Sequence, residues 1–176
     1  MKKIALFLIY ALIFFTMLLF FTPKESLYYY AEEQLKPLGV VIGYEALNDS
    51  GFSLEIEHPK LFVQKIKSAN IDTITLSPWL LYNHVEVENI ILDSAFEQFF
   101  PPLINRISIT QSILDPIHVH ASSIGDFGEA VADVNLIERH VSVILKPSKL
   151  MRSRYLKSLA SLKKNAEGDY VYELQY

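Results

Sequence analysis

The order of apolar and polar positions divides the chain at one point. Ile4 to Phe21 form an unbroken run of eighteen residues in which Thr16 is the only clearly polar side chain. As a helix at about 1.5 Å per residue this run reaches about 27 Å, close to the roughly 30 Å hydrocarbon core of a bilayer. Thr22-Pro-Lys-Glu25 then reads as a helix start, with Thr22 as cap, Pro23 in the first turn and Glu25 completing a capping box. That helix is expected to run to about Lys36, where Pro37 and Gly39 stop it. Tyr28, Tyr29 and Tyr30 lie just beyond the apolar run, suited to an aromatic interfacial belt or to packing on the next strands.

From Val40 the period changes from helical to alternating. Strands are expected at Val40–Glu45, Phe52–His58, Leu61–Ile66, Ala69–Leu76, Val85–Leu92, Ile104–Thr110 and Ile117–Ala121. A hairpin comes next, Ala130–Ile137 and Val141–Lys146, around Glu138-Arg-His140. Asn48-Asp-Ser-Gly51 and Gly125-Asp-Phe-Gly128 read as turns, Ser77–Asn83 as a connector, and Phe99-Phe-Pro-Pro102 as an interruption. Pro147-Ser148 opens a second helix with Met151, Tyr155, Leu159 and Leu162 on one stripe. A closing strand places Tyr170, Tyr172, Leu174 and Tyr176 on one face. Short strands at roughly ten-residue spacing are the signature of an antiparallel sheet, sandwich or barrel. The predicted fold class is therefore mainly β: an N-terminal transmembrane helix, then a curved antiparallel sheet, groove- or jellyroll-like. A short helix precedes the sheet and a basic amphipathic helix lies near the C-terminus. The division falls into residues 1–22, a cytoplasmic stub and anchor, and 23–176, a β-rich domain.

Charge gives the division a direction. Lys2 and Lys3 precede the apolar run, and no acidic residue occurs before Glu25. The positive-inside rule then keeps the N-terminus cytoplasmic and sends the bulk of the chain outward, into the periplasm of a Gram-negative bacterium. A cleavable signal peptide would carry a shorter apolar region and a small-x-small site, whereas this run ends Leu-Leu-Phe-Phe-Thr-Pro. Beyond the two lysines remain 14 cations and 20 anions, a net charge of −6. This acidity argues against general nucleic-acid binding. Six of the 14 cations gather at Lys149, Arg152, Arg154, Lys157, Lys163 and Lys164. Of these, Lys149, Arg152, Lys157, Lys163 and Lys164 are candidates to contact an anionic lipid or an acidic partner.

Candidate chemistry is sparse. There is no cysteine, so no thiol nucleophile, disulfide or cysteine metal site. G-x-S-x-G, the phosphate loop, G-x-G-x-x-G and H-E-x-x-H are absent. His118 and His120 alternate on one strand beside Asp115, fewer ligands than a zinc site needs. Glu55/Glu57 and Glu86/Glu88 occupy the polar faces of alternating strands rather than a cleft. The reading is non-enzymatic, with no cofactor and no metal.

A resemblance rests on Leu38-Gly-Val-Val-Ile-Gly-Tyr-Glu45 and on Ala69-Asn-Ile-Asp-Thr-Ile-Thr-Leu-Ser-Pro-Trp-Leu-Leu81 running into Val85-Glu-Val-Glu-Asn-Ile-Ile-Leu92. An anchor, a short helix and this strand–connector–strand rhythm resemble the AsmA-like envelope proteins, in particular the type II secretion protein N (GspN) group. Tyr82-Asn-His-Val-Glu-Val87 is similar, more weakly, to the lipopolysaccharide-bridge component LptC. The resemblance implies an open sheet whose apolar face handles lipid, or a scaffold for secretion or outer-membrane assembly. It sets Phe52, Leu54 and Ile56, with Val85, Val87 and Ile91, as candidate lipid-facing residues. The alternative is a periplasmic protein-interaction module of a type II secretion or lipopolysaccharide-export complex, pairing by strand addition.

Overall fold

The structure is a computed structural model and describes residues 2–79, 81–166 and 168–176. Helix α1 (Lys2–Phe20) carries the apolar run; none of its side chains is buried. Its 19 residues, with mean hydropathy 2.4, are long and apolar enough to cross a membrane. Helix α2 (Lys24–Leu35) comes next. The expected capping box does not form: the Thr22 hydroxyl instead donates to the Leu18 carbonyl, 2.8 Å away, and Pro23 occupies the cap. Gly39, in the left-handed region at φ 78, turns the chain into the sheet.

The thirteen strands among the described residues belong to one antiparallel sheet, in which chain neighbours pair one after another from β6 to β11. β1 (Val40–Gly43) with β2 (Ala46–Asp49), β3 (Leu54–Glu57) with β4 (Lys60–Val63), and β5 (Ile66–Asn70) with β6 (Thr73–Pro78) each make one interrupted ribbon. β5 and β6 both pair with β7 (Tyr82–Leu92). β8 (Leu103–Ser112), β9 (Asp115–Gly125), β10 (Gly128–Asn135) and β11 (His140–Pro147) continue the meander. At the far edge β13 (Tyr170–Gln175) pairs with β11, and β12 (Lys163–Lys164) lies outside it. β2 and β12 are strands that the alternation does not predict. The second helix is also different from expectation. It is two short pieces, α3 (Lys149–Arg154) and α4 (Leu156–Leu159), broken at Tyr155, and Lys163 and Lys164 are in a strand rather than on a helix.

The interruptions of the first ribbons fall on one line across the sheet. Tyr44, His58 and Asn89 adopt positive φ (64, 52 and 50). His58 N–H donates to Asp72 O (2.8 Å), and Asp72 N–H donates to Glu88 O (3.2 Å). β8 shifts register against β9 between Ile104 and Arg106. Each strand thus carries one extra residue at the same level, as a β-bulge does, and the inward face changes parity there. Ile56 and Pro59, Ile71 and Ile74, Val87 and Ile90, and Ile104 and Ile107 point inward at a spacing of three.

Two cores occupy the inner face. The first joins Tyr28 of α2 to Leu54, Ile56, Ala69, Ile71, Ile74 and Ile90. Here Lys24, 1% exposed, pairs with Asp49 at 3.4 Å. The second joins Phe127 and Leu145 to Met151, Tyr155 and Leu159 of the helical pieces. The stripe predicted on the second helix therefore docks on the sheet despite the break.

Candidate functional site

Pairing in β8 to β13 fixes which side chains share the inner face. Ile107 lies opposite Ser123, Ser123 opposite Ala130, Ala130 opposite Leu145 and Leu145 opposite Tyr170. One level along, Ile109, Ala121, Ala132, Val143 and Tyr172 succeed one another in the same order. At these two levels the central strands thus present Ala121, Ser123, Ala130 and Ala132, while large side chains stand on both sides. A sheet whose middle strands carry small residues between bulky neighbours has a hollow along its face. The hollow is a cavity of about 290 Å³ whose exposed wall is wholly apolar. Its floor includes Ser123 and Ala130, its sides Ile104, Val143, Tyr170 and Tyr172, and its roof Phe100, Phe127 and Leu162. Phe100 and Phe127 pack at 5.0 Å between ring centres, which fixes the roof at that end.

The roof is short. α3 and α4 cover the end of the sheet near Gly128 and Leu145, and the inner face beyond them is half-buried or exposed. Val119, Ala121, Ala132, Val134 and Val141 are partly accessible, and Tyr172 and Leu174 are exposed. The cavity therefore continues as an apolar trough toward the β8–β9 and β10–β11 turns. Its size is at the lower end of small-molecule pockets, and such a lining supplies burial without directed polar contacts.

Two glycines allow close approaches, one beside this cavity and one at the far side of the sheet. Gly128, at φ 119, brings its backbone against the Lys146 carbonyl, leaving no room for a Cβ. Gly51, at φ 86, does the same for the Phe20 ring.

The residues proposed from sequence fall differently. Leu54 and Ile56 are fully buried beneath α2, and Val85 and Val87 pack against that core; Val85 also lines a cavity of about 160 Å³ between α2 and the strands β6 and β7. Phe52 lies outside β3 and is exposed. It meets Phe20 at 5.7 Å and Trp79 at 6.2 Å between ring centres. Ile91 is exposed on the other side of the sheet, because the extra residue at Asn89 reverses the alternation and turns Ile90 inward instead. These six do not form one lipid-facing surface. Alternation does not single out the residues that line the trough, because it is the same for a core and a groove. The available signal is the small-residue pair of strands, Ala121-Ser-Ser123 and Ala130-Val-Ala132, facing Tyr170-Val-Tyr172.

The cations also disperse. Lys149 and Arg152 are exposed on α3 and Lys157 on α4, at the end of the sheet opposite the point where α1 enters. Lys163 and Lys164 are exposed on the edge strand, with the Lys164 Nζ 6.0 Å from the centre of the Tyr170 ring.

The remaining titratable groups make local pairs. Arg106 joins Glu86 at 3.0 Å and Glu88 at 3.1 Å across the outer face. His120 meets Asp133 at 2.7 Å and His118 meets Asp115 at 2.9 Å. The hydrogen bond to Asp115 raises the His118 pKa above its ordinary value, and the same bond lowers that of Asp115. Burial, reinforced by the Glu45 carboxylate it hydrogen-bonds, pushes the Tyr28 phenol well up. Among the described residues no group of three His, Asp or Glu side chains could hold a metal ion. Comparison of the chain with known protein families, with curated proteins and with solved structures finds no match.

Proposed function

We propose that this chain is a single-pass inner-membrane protein whose periplasmic sheet handles lipid without catalysing a reaction. The observation that carries the reading is the trough: a wholly apolar cavity of about 290 Å³ that runs on into a half-exposed apolar face. An acyl chain laid there is stabilised by about 0.8 kcal/mol for each buried CH₂, and the lining makes no demand on the headgroup. α1, with Lys2 and Lys3 on its cytoplasmic side, is the anchor. The resemblance to AsmA-like and GspN-type envelope proteins, and more weakly to LptC, is consistent with this role and with work beside a secretion or lipid-export apparatus.

The test uses the full chain in phosphatidylcholine nanodiscs with a photoactivatable fatty acid. Adducts are expected on peptides containing Val143 and Tyr172, and Ala130→Trp, which fills the hollow, should abolish them. Adducts confined to α1, unchanged in the variant, would overturn the reading.

A protein-interaction role has one observation in its favour. β12 pairs only with Tyr170 and Val171, so the outer edge of β13 from Tyr172 to Gln175 has no strand partner among the described residues. An extended peptide could add there. A cross-linked partner mapping to Tyr172–Gln175, with no lipid adduct in the trough, would favour this second reading.

A further inference from the structure

The turns at one end of the sheet share a composition that neither core explains. The β2–β3 turn carries Phe52, the β6–β7 turn carries Trp79 and Leu81, the β8–β9 turn carries Ile113 and Leu114, and the β10–β11 turn carries Ile137. All six side chains are exposed, Leu114 at 92% and Ile137 at 72%. Turn tips are normally polar and rich in Gly, Asn, Asp and Ser. Here they present large apolar groups to solvent.

The antiparallel register puts these turns in one row. Tyr82 lies opposite Ser112, and Asn135 opposite His118. Ile113 N–H donates to Leu81 O (3.0 Å), and Leu136 N–H donates to Ile117 O (2.9 Å). Six strand spacings of about 4.8 Å separate the first turn from the last, so the row is roughly 30 Å long. Its first member is continuous with the apolar helix, because Phe20 of α1 packs on Phe52, which stacks on Trp79. Aromatic groups at a helix exit are what a bilayer interface accommodates.

We infer that this row is a membrane-docking rim. It rests on the lipid interface of the same bilayer that α1 crosses, and it holds the sheet end-on to the membrane. The inference rests on the reading of α1 as an anchor and adds to it a fixed orientation. The occupant is the acyl–headgroup boundary rather than an anionic surface. Near the tips Asp49, Asp115 and Glu138 outnumber Arg139 and Lys24, the partner of Asp49, while Lys149, Arg152 and Lys157 are at the opposite end. Docking is therefore driven by apolar burial, needs no anionic lipid and persists at high salt, where charge attraction is screened within about 3 Å at 1 M. The trough opens at the same end, so a docked rim brings its mouth to the lipid.

The chain contains no cysteine, which allows single labelled sites. Full-length Ile137→Cys, Lys149→Cys and Phe14→Cys, each carrying an environment-sensitive fluorophore, are placed in pure phosphatidylcholine vesicles. Iodide in 1 M salt is the aqueous quencher. Protection is expected at positions 14 and 137, with full quenching at 149. Ile113→Ser with Leu114→Ser should restore quenching at 137 and leave 14 protected. If position 137 is quenched like 149 while 14 is protected, the rim is overturned and the anchor stands. If position 14 is quenched as well, the anchor reading fails with it.

Discussion

The two halves of the sheet use the same alternation and end in different states. In the first half, α2 lies over β3, β6 and β7, and the inward side chains Leu54, Ile56 and Ile74 are fully or almost fully buried. In the second half, the middle inward positions of β9 and β10, Ala121, Ser123, Ala130 and Ala132, are small, and the helical cover is two short pieces at one end. The first half is closed except for a cavity of about 160 Å³ beside α2, and the second opens from its small core into a trough. What separates them is the size of the central side chains and the length of the cover, not the period of the strands.

The sharpest way to break the comparison is to remove atoms from both halves. Ile56→Ala should cost about 2–5 kcal/mol, because a sealed core collapses only partly around a cavity. Tyr172→Ala, already exposed, should cost no more than about 0.5 kcal/mol. Urea unfolding of the full chain in mild detergent gives both values, and equal costs would mean that the second half is as sealed as the first.

A smaller loss is expected from Gly128→Ala. Positive φ and the Lys146 carbonyl oppose a Cβ at that turn, and strain of this kind is worth about 1–3 kcal/mol. Measured by the same unfolding experiment, a negligible change would show that the β9–β10 turn is free to adjust.

Filling the trough should separate stability from binding. Ala130→Leu puts a side chain into the hollow that Ala130 lines, so the stability to unfolding should hold to within about 1 kcal/mol. Uptake of a fluorescent fatty acid should fall. A destabilisation as large as that of Ile56→Ala would make the hollow a packed core after all.

The smallest effect is on the outer face behind the trough. The hydrogen bond to Asp115 should place the His118 titration midpoint above the ordinary histidine value, and Asp115→Asn should lower it, as read by NMR. The raised His118 value means that its contribution is present at low pH and fades as pH rises through that midpoint. The lowered Asp115 value means that its contribution fades as pH falls through the carboxyl midpoint. The pair is strongest between the two. An unshifted His118 would remove the pair.

Much of this architecture is legible from side-chain order. The apolar run, the strands of the meander, the Gly125–Gly128 turn and the docking of Met151, Tyr155 and Leu159 come from period and breakers. Ile91 shows where period fails. Val85-Glu-Val-Glu-Asn-Ile-Ile reads as steady alternation, yet the extra residue at Asn89 reverses it. The clue is a polar pair between inward groups, repeated as Glu57-His58, Asp72-Thr73, Glu88-Asn89 and Asn105-Arg106. One such pair looks like noise; four at matching levels mark a line across a sheet, which becomes visible once pairing is known. The trough is hidden for another reason. Apolar alternation records which side is dry, and only the volumes of paired neighbours, Ala130 against Ser123 and Ala132 against Ala121, record that space remains.

The line of extra residues also bears on self-association. β1 and β2 form an open edge, and a long flat edge invites a strand from another copy, the first step of sheet aggregation. A straight incoming strand can match Val40–Gly43 or Ala46–Asp49, but it falls out of register at Tyr44 unless it carries an extra residue of its own. At the other edge β12 is only two residues, both lysine. One border is guarded by a break in register, and the other offers only the four residues Tyr172–Gln175 beyond the two lysines, so neither presents a long straight edge to another copy.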